Sequence, residues 1–205
     1  MAAPSSSVDI CNLAVGLLKQ QAITSIQTPN SNVEVICAKW YDAARRATLE
    51  MNPWHFAKKR EAVAQAVATP TFGWSYQSAE LPSDFIRLCT IGENEDEDGY
   101  ALEGNLILSN DEGPYYIVYI WDIESVSRFS PTFVIALAHV IASFAAYEIT
   151  GNASLSDSII QRAQVHIDRS AAINGQQRPP RRIETSRFNS ARRGFYSRRD
   201  ASRLG

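Results

Sequence analysis

The chain has 205 residues, 45% of them hydrophobic and 20% charged, enough to bury one good core with a small insertion of its own. No run approaches the roughly 18 uninterrupted apolar residues of a membrane helix, and the opening residues 1–7, Met-Ala-Ala-Pro-Ser-Ser-Ser, lack the charged and apolar regions of a secretory signal, so a cytoplasmic protein is expected. The net charge of −2 hides a segregation: residues 175–205 hold nine arginines against Glu184 and Asp200, a net of +7, while residues 1–174 carry 11 basic and 20 acidic groups, a net of −9.

A first helix is expected from Ser6 or Ser7, whose hydroxyl can cap free N–H groups. It buries Ile10, Leu13, Ala14, Leu17 and Leu18, which follow helical spacing. A polar linker over 20–32 leads to a second helix with Val33, Ile36, Cys37, Trp40, Tyr41, Ala44 and Thr48 on one face. Lys39, Asp42, Arg45, Arg46 and Glu50 lie on the other, read as a solvated face. Pro53 has no N–H and disfavours helical geometry at Asn52, so this helix stops there. Trp54 and Phe56 follow at once and are read as core anchors at an element boundary. Beside Lys58, Lys59 and Arg60 they also admit a competing reading as a nucleic-acid stacking surface.

Between the hinge and Pro131 the pattern is aromatic, β-branched and rich in turns. Residues 56–68 alternate like a strand yet are rich in alanine, and a strand is preferred. Strands are also expected within 70–91, with Pro82 at the turn. Residues 93–98 hold five acids in six positions; no register there matches a calcium loop, and a solvated hairpin tip is expected. Hairpin signals at Glu103-Gly104-Asn105 and at Asn110-Asp111-Glu112-Gly113 complete an antiparallel meander. Its last strand, Tyr115–Trp121, sets Tyr115, Ile117, Tyr119 and Trp121 on one face and Tyr116, Val118 and Ile120 on the other. Both faces are apolar, so one is expected to meet the helices and the other a second protein chain, with Tyr116, Tyr119 and Trp121 as interface candidates.

Helical spacing returns after Ser130-Pro131, with Phe133, Leu137, Val140, Ile141, Phe144 and Ala145 as the stripe and Gly151 as the stop. A last helix is expected from Ser154, burying Leu155, Ile159, Ala163 and Ile167 and ending at Asn174-Gly175. The expected fold is therefore α+β and mainly helical. Residues 1–52 and 131–174 form a helical bundle of two N-terminal and two C-terminal helices, 53–130 an inserted antiparallel β region, and 175–205 a flexible, extended arm too polar to fold alone.

No constellation for catalysis is present: no nucleophile elbow, phosphate loop, zinc-protease helix or paired-cysteine spacing. Cys11, Cys37 and Cys89 read as reduced core thiols, and His55, His139 and His166 as isolated structural histidines. Asp122 and Glu124 form a conceivable acid–base pair but suit a solvated strand end better. Asn152-Ala153-Ser154 fits a glycosylation acceptor that a cytoplasmic protein would not use. The expectation is a protein without enzymatic activity, metal or cofactor. The arm carries the mechanistic content: Arg178, Arg181, Arg182, Arg187, Arg192, Arg193, Arg198 and Arg199, with Phe188, Phe195 and Tyr196 as apolar anchors, suit docking on an acidic partner. The same arginines would serve a nucleic-acid-binding module through phosphate contacts.

Between residues 8 and 173 the chain resembles the head-to-tail adaptors of short-tailed bacteriophages, the tail tubular protein A family. The resemblance is carried by Ile10-Cys-Asn-Leu-Ala with Leu17-Leu18, by Trp40-Tyr41-Asp42-Ala-Ala-Arg with Leu49 and Pro53-Trp54-His55-Phe56-Ala57, by Phe72-Gly73-Trp74-Ser75-Tyr76 with Leu81-Pro82-Ser83-Asp84, and by Phe129-Ser130-Pro131-Thr-Phe133. His55 stands where the family pattern has Asn. The resemblance implies a structural virion protein in the neck of the particle. Its ring, expected to be dodecameric, docks below the portal vertex, meets the tail nozzle and fibres, and passes DNA through its lumen without specific binding. On that model the arm binds the portal, and Tyr116, Tyr119 and Trp121 face the nozzle or a neighbouring subunit.

Overall fold

The computed structural model describes residues 4–92 and 99–177. Among the described residues, those up to Asn174 form one compact unit. Among the described residues the architecture is mixed α+β, with four helices and two small antiparallel sheets.

Helix α1 (Ser7–Leu17) starts from a capping box: Ser6 Oγ accepts from the Asp9 N–H at 3.1 Å, and Asp9 Oδ2 accepts from the Ser6 N–H at 3.0 Å. It buries Ile10, Cys11, Ala14 and Val15, followed by Leu18. Leu13, expected inside, is 40% exposed. The buried arc is centred between positions 10 and 11, and at ~100° per residue Leu13 points well away from it.

The 20–32 linker is pinned to its neighbours. Asn12 clamps Ile23 by accepting from its N–H at 2.7 Å and donating to its carbonyl at 3.1 Å. Glu34, buried at the start of α2 (Asn32–Met51), accepts from the N–H groups of Asn30, Thr24, Ser25 and Ser31 and from the Thr24 hydroxyl. Those bonds, led by the one from Asn30, hold its carboxyl down at about 2. Helix α2 buries Ile36, Cys37, Tyr41, Ala44 and Leu49 against α1 and α3. Cys37, far from Cys11 in sequence, joins it in the core shared by α1 and α2, where the two thiols interact.

Helix α2 ends at Met51, and Asn52 is extended (φ −147°, ψ 144°) ahead of Pro53, as the clash of the proline ring with a helical Asn52 requires. Six strands follow: β1 (Lys58–Val63), β2 (Tyr76–Gln77), β3 (Phe85–Ile91), β4 (Tyr100–Glu103), β5 (Leu106–Ser109) and β6 (Tyr115–Trp121). They do not form one meander. The sheets run β1-β6-β3 and β2-β5-β4. Among the described residues only β4 and β5 make a hairpin between consecutive strands, turning at Gly104 with φ +58°. The turn residues 110–113 instead carry the chain from β5 in one sheet to β6 in the other. The strand expected near Phe72 shrinks to Tyr76–Gln77, with Phe72 87% exposed. The one expected within 56–68 covers Lys58–Val63 alone, followed by an isolated bridge from Gln65 to Ser78.

Strand β6 explains this arrangement. It pairs with β1 on one side, from Lys58 opposite Ile120 to Val63 opposite Tyr115, and with β3 on the other. Ile120 joins the helical core, which includes Trp54, Ala57, Ile123 and Phe133. Tyr115, Ile117 and Tyr119 form a second core with Val63, Leu81, Ile91 and Ile107, the last contributed by β5 of the other sheet. The face expected to await a second protein chain is thus covered by this chain's own second sheet.

Helix α3 (Pro131–Thr150) is capped by Ser130 Oγ, which accepts from the Phe133 N–H at 3.3 Å, and closes on Gly151 at φ +64°. An 18-residue apolar window within this 20-residue helix has a mean hydropathy of 1.7, so by length and composition it is long and apolar enough to cross a membrane. In this fold 56% of that apolar window is buried, including Phe133, Leu137 and Ile141 at 0% exposure, so it serves as the core helix. Helix α4 (Ala153–Gln176) buries Ile159, Ala163 and Ile167. Asn152, rather than Ser154, caps its start by accepting from the Leu155 N–H at 3.1 Å.

Candidate interaction surfaces

The hinge is built from both directions of the chain. Trp54 is wholly buried, and its Nε1–H donates to the Thr48 carbonyl at 2.8 Å. Its ring meets Phe133 edge-on at 5.0 Å, and Phe56 meets Phe133 at 5.1 Å and Phe129 at 5.8 Å. The two rings therefore close on the first turn of α3, which the stacking-surface reading does not accommodate. His55 sits between them and reaches outward to α4: its N–H donates to Asn174 Oδ1 at 3.1 Å, and its Nε2 lies 2.7 Å from the Asn174 carbonyl. Asn174 Nδ2 donates to the Pro53 carbonyl at 3.0 Å. Nothing in the sequence around Asn174 signals this staple, because its partners lie 119 to 121 residues away.

Tyr119 is an internal residue at 0% exposure. Its hydroxyl lies 2.9 Å from Asp84 Oδ1 and 3.0 Å from Glu61 Oε2, while Lys59 Nζ reaches Asp84 Oδ2 at 2.9 Å. Burial, chiefly, pushes the Tyr119 hydroxyl up, and its hydrogen bonds to the carboxylates add to that. The Asp84 carboxylate raises the Lys59 ammonium. Burial tends to raise Asp84, but its bonds to Lys59 and Tyr119 outweigh this and leave it lowered. Tyr119 thus ties β1 and β6 to the loop before β3 and presents no free face. Tyr116 does, at 58% exposure, beside a surface cavity of about 340 Å3 lined by Arg60, Glu61, Gly92 and Val118. Trp121 is half-buried between the two cores, with the Arg128 guanidinium 6.0 Å from its ring.

Arg45 was expected on a solvated face and is 3% exposed. Its Nη1 donates to Asp122 Oδ1 and, at 2.8 Å, to the Ile123 carbonyl. Arg46 Nε lies 3.4 Å from Asp122 Oδ2. Asp122 is therefore an ion-pair partner of two guanidiniums, and the conceivable pairing with exposed Glu124 for acid–base work is not what its surroundings serve. Helical periodicity put Arg45 outside correctly for α2 alone; the segment after β6 then covers it.

His139 and His166 are not isolated. Their rings meet across α3 and α4 at a tilt of 30° with centroids 4.0 Å apart, and His139 Nδ1 lies 2.8 Å from the Ile135 carbonyl, to which it donates. Burial, then the neighbouring His139 and Arg169, lowers His166 from its ordinary 6.5. The unfolded chain consequently takes up this proton first. Stability is complete above about pH 6.5 and falls as pH drops through the depressed folded value. The urea midpoint is expected to decline between pH 7 and 5, and His166→Gln should flatten that slope. An identical slope in the variant would remove His166 as its source.

Arg178, Arg181, Arg182, Arg187, Phe188, Arg192, Arg193, Phe195, Tyr196, Arg198 and Arg199 lie outside the described residues, as does the acidic run 93–98. Among the described residues no group of three or more His, Cys, Asp or Glu is placed to hold a metal ion. No protein-family model matches the chain, and no curated protein does.

Proposed function

We propose that this chain is a structural connector that joins a phage portal vertex to the tail nozzle as one subunit of a ring, dodecameric by resemblance. In this reading the helices of residues 1–52 and 131–174 form a bundle that serves as the ring scaffold, and the β insertion faces the nozzle or fibres through the exposed Tyr116 surface. The arm over 175–205 binds the portal. The observation that carries the reading is the Pro53–Ala57 hinge. The residues that bear the family resemblance are the ones that bind the helical core to the β insertion, through Trp54, Phe56 and the His55–Asn174 staple. Charge supports it as well, since a body of net −9 suits a channel that must pass a polyanion without gripping it.

Removal of residues 175–205 is expected to abolish joining to portal-containing heads, scored by electron microscopy, while circular dichroism of the truncated protein stays native. Normal joining by the truncated protein would reject the arm assignment. The nine arginines favour one competing function, a nucleic-acid-binding module. It requires tight, salt-sensitive retention of DNA that is lost with the arm, whereas a connector retains DNA weakly.

A further inference from the structure

A polar cavity of about 400 Å3 opens where α1, the linker, α2 and the segment after β6 converge, with Ser7, Gln27, Tyr41, Asp42, Arg45 and Glu124 in its wall. Two buried groups there have no hydrogen-bond partner: the Tyr41 hydroxyl and Arg45 Nε. Both belong to side chains more than nine-tenths buried. Arg45 has committed its Nη1 to Asp122 and the Ile123 carbonyl, while its Nε–H stands 3.5 Å from Asp42 Oδ1 without making a hydrogen bond. Burial above all pushes the Tyr41 hydroxyl up to about 12, so it remains a proton donor at physiological pH. Buried donors of this kind are stabilised by an incoming acceptor atom.

The rim asks for the opposite charge. Asp42, 77% exposed in its side chain, and exposed Glu124 are carboxylates, and Asp122 already neutralises much of the Arg45 charge. A phosphate or carboxylate ligand would be repelled at this rim, and a bare cation would meet donors at the cavity floor. A peptide unit with a basic side chain satisfies both ends. An arginine suits it better than a lysine, because its fork can engage two carboxylates at once.

The geometry points to a docking site for an arginine-bearing segment of a partner polypeptide. Its main-chain carbonyl accepts from Arg45 Nε and the Tyr41 hydroxyl, and its guanidinium bridges Asp42 and Glu124. The site stands independently of the connector reading, which is tested through the arm and the portal.

The test titrates the full chain with a blocked pentapeptide, acetyl-Gly-Gly-Arg-Gly-Gly-amide, by calorimetry and through the Arg45 Nε–H signal in NMR. Saturable one-to-one binding that shifts this signal is expected. The peptide with citrulline in place of arginine, and the Asp42→Asn/Glu124→Gln double variant, should each weaken binding about tenfold. Tyr41→Phe should weaken it severalfold. Both replaced carboxylates are exposed, so the double variant keeps the parent melting temperature. Absence of saturable binding, equal affinity for the citrulline peptide, or an unmoved Arg45 signal would each overturn the proposal, and none of them bears on portal joining.

Discussion

Trp54→Ala lowers the stability of the protein by about 3–5 kcal/mol, the range for deleting a large buried aromatic ring. The upper half of that range is expected, for three reasons. The side chain is fully buried, it packs edge-on against Phe133 at 5.0 Å, and its Nε1–H serves the Thr48 carbonyl in the last turn of α2. Loss of the ring leaves a cavity between α2 and α3 and an unpaired carbonyl where the chain turns into β1. Trp54→Phe separates the contributions: it restores much of the packing and not the hydrogen bond, so it should recover more than half of the loss. The check is urea denaturation at constant m-value, where the effect reads as a lower midpoint. An alanine variant with an unchanged midpoint and weakened DNA binding would restore the stacking-surface reading of this pair of rings.

Arg45→Ala is the second large effect, about 3 kcal/mol. Removal of one partner from a buried ion pair costs roughly 3–5 kcal/mol because the other is left uncompensated. The lower end applies here, since Asp122 keeps 21% side-chain exposure and retains Arg46 at 3.4 Å. The Ile123 carbonyl loses its donor as well. The coupling is measurable: Asp122→Ala in the Arg45→Ala background should cost much less than in the parent, by about 1–3 kcal/mol. Additive costs would show that the two residues act apart. The result also bears on the cavity beside them, because the guanidinium that anchors the segment after β6 to α2 belongs to a residue in its wall.

These effects separate into what local sequence fixes and what it leaves to the fold. The starts of α1 and α3 were legible because their signals are local, the Ser6 hydroxyl at one and Ser130-Pro131 at the other, and Pro53 ends α2 through its own missing N–H. The Trp54–Phe56 anchor was legible for the same reason, since two large rings beside a helix stop have few places to go but inward. Strand pairing was not. A two-sided apolar strand such as β6 declares that both faces are covered but not by what, so the sheet order β1-β6-β3 and the closure of its second face by Ile107 appear only in the assembled fold.

The sequence by itself determined the order of helical and β segments, the hinge, and the opposition of an acidic 1–174 to an Arg-rich 175–205 in composition. Those features depend on neighbours within one or two turns or on composition alone. The tertiary structure alone decided that Arg45 is buried, that His139 meets His166, that Cys11 meets Cys37 and that Asn174 staples the hinge. Each of those pairs polar or polarisable groups 26 to 121 residues apart. Periodicity assigns a residue to a face of its own helix, and only packing determines which distant element comes to lie against that face.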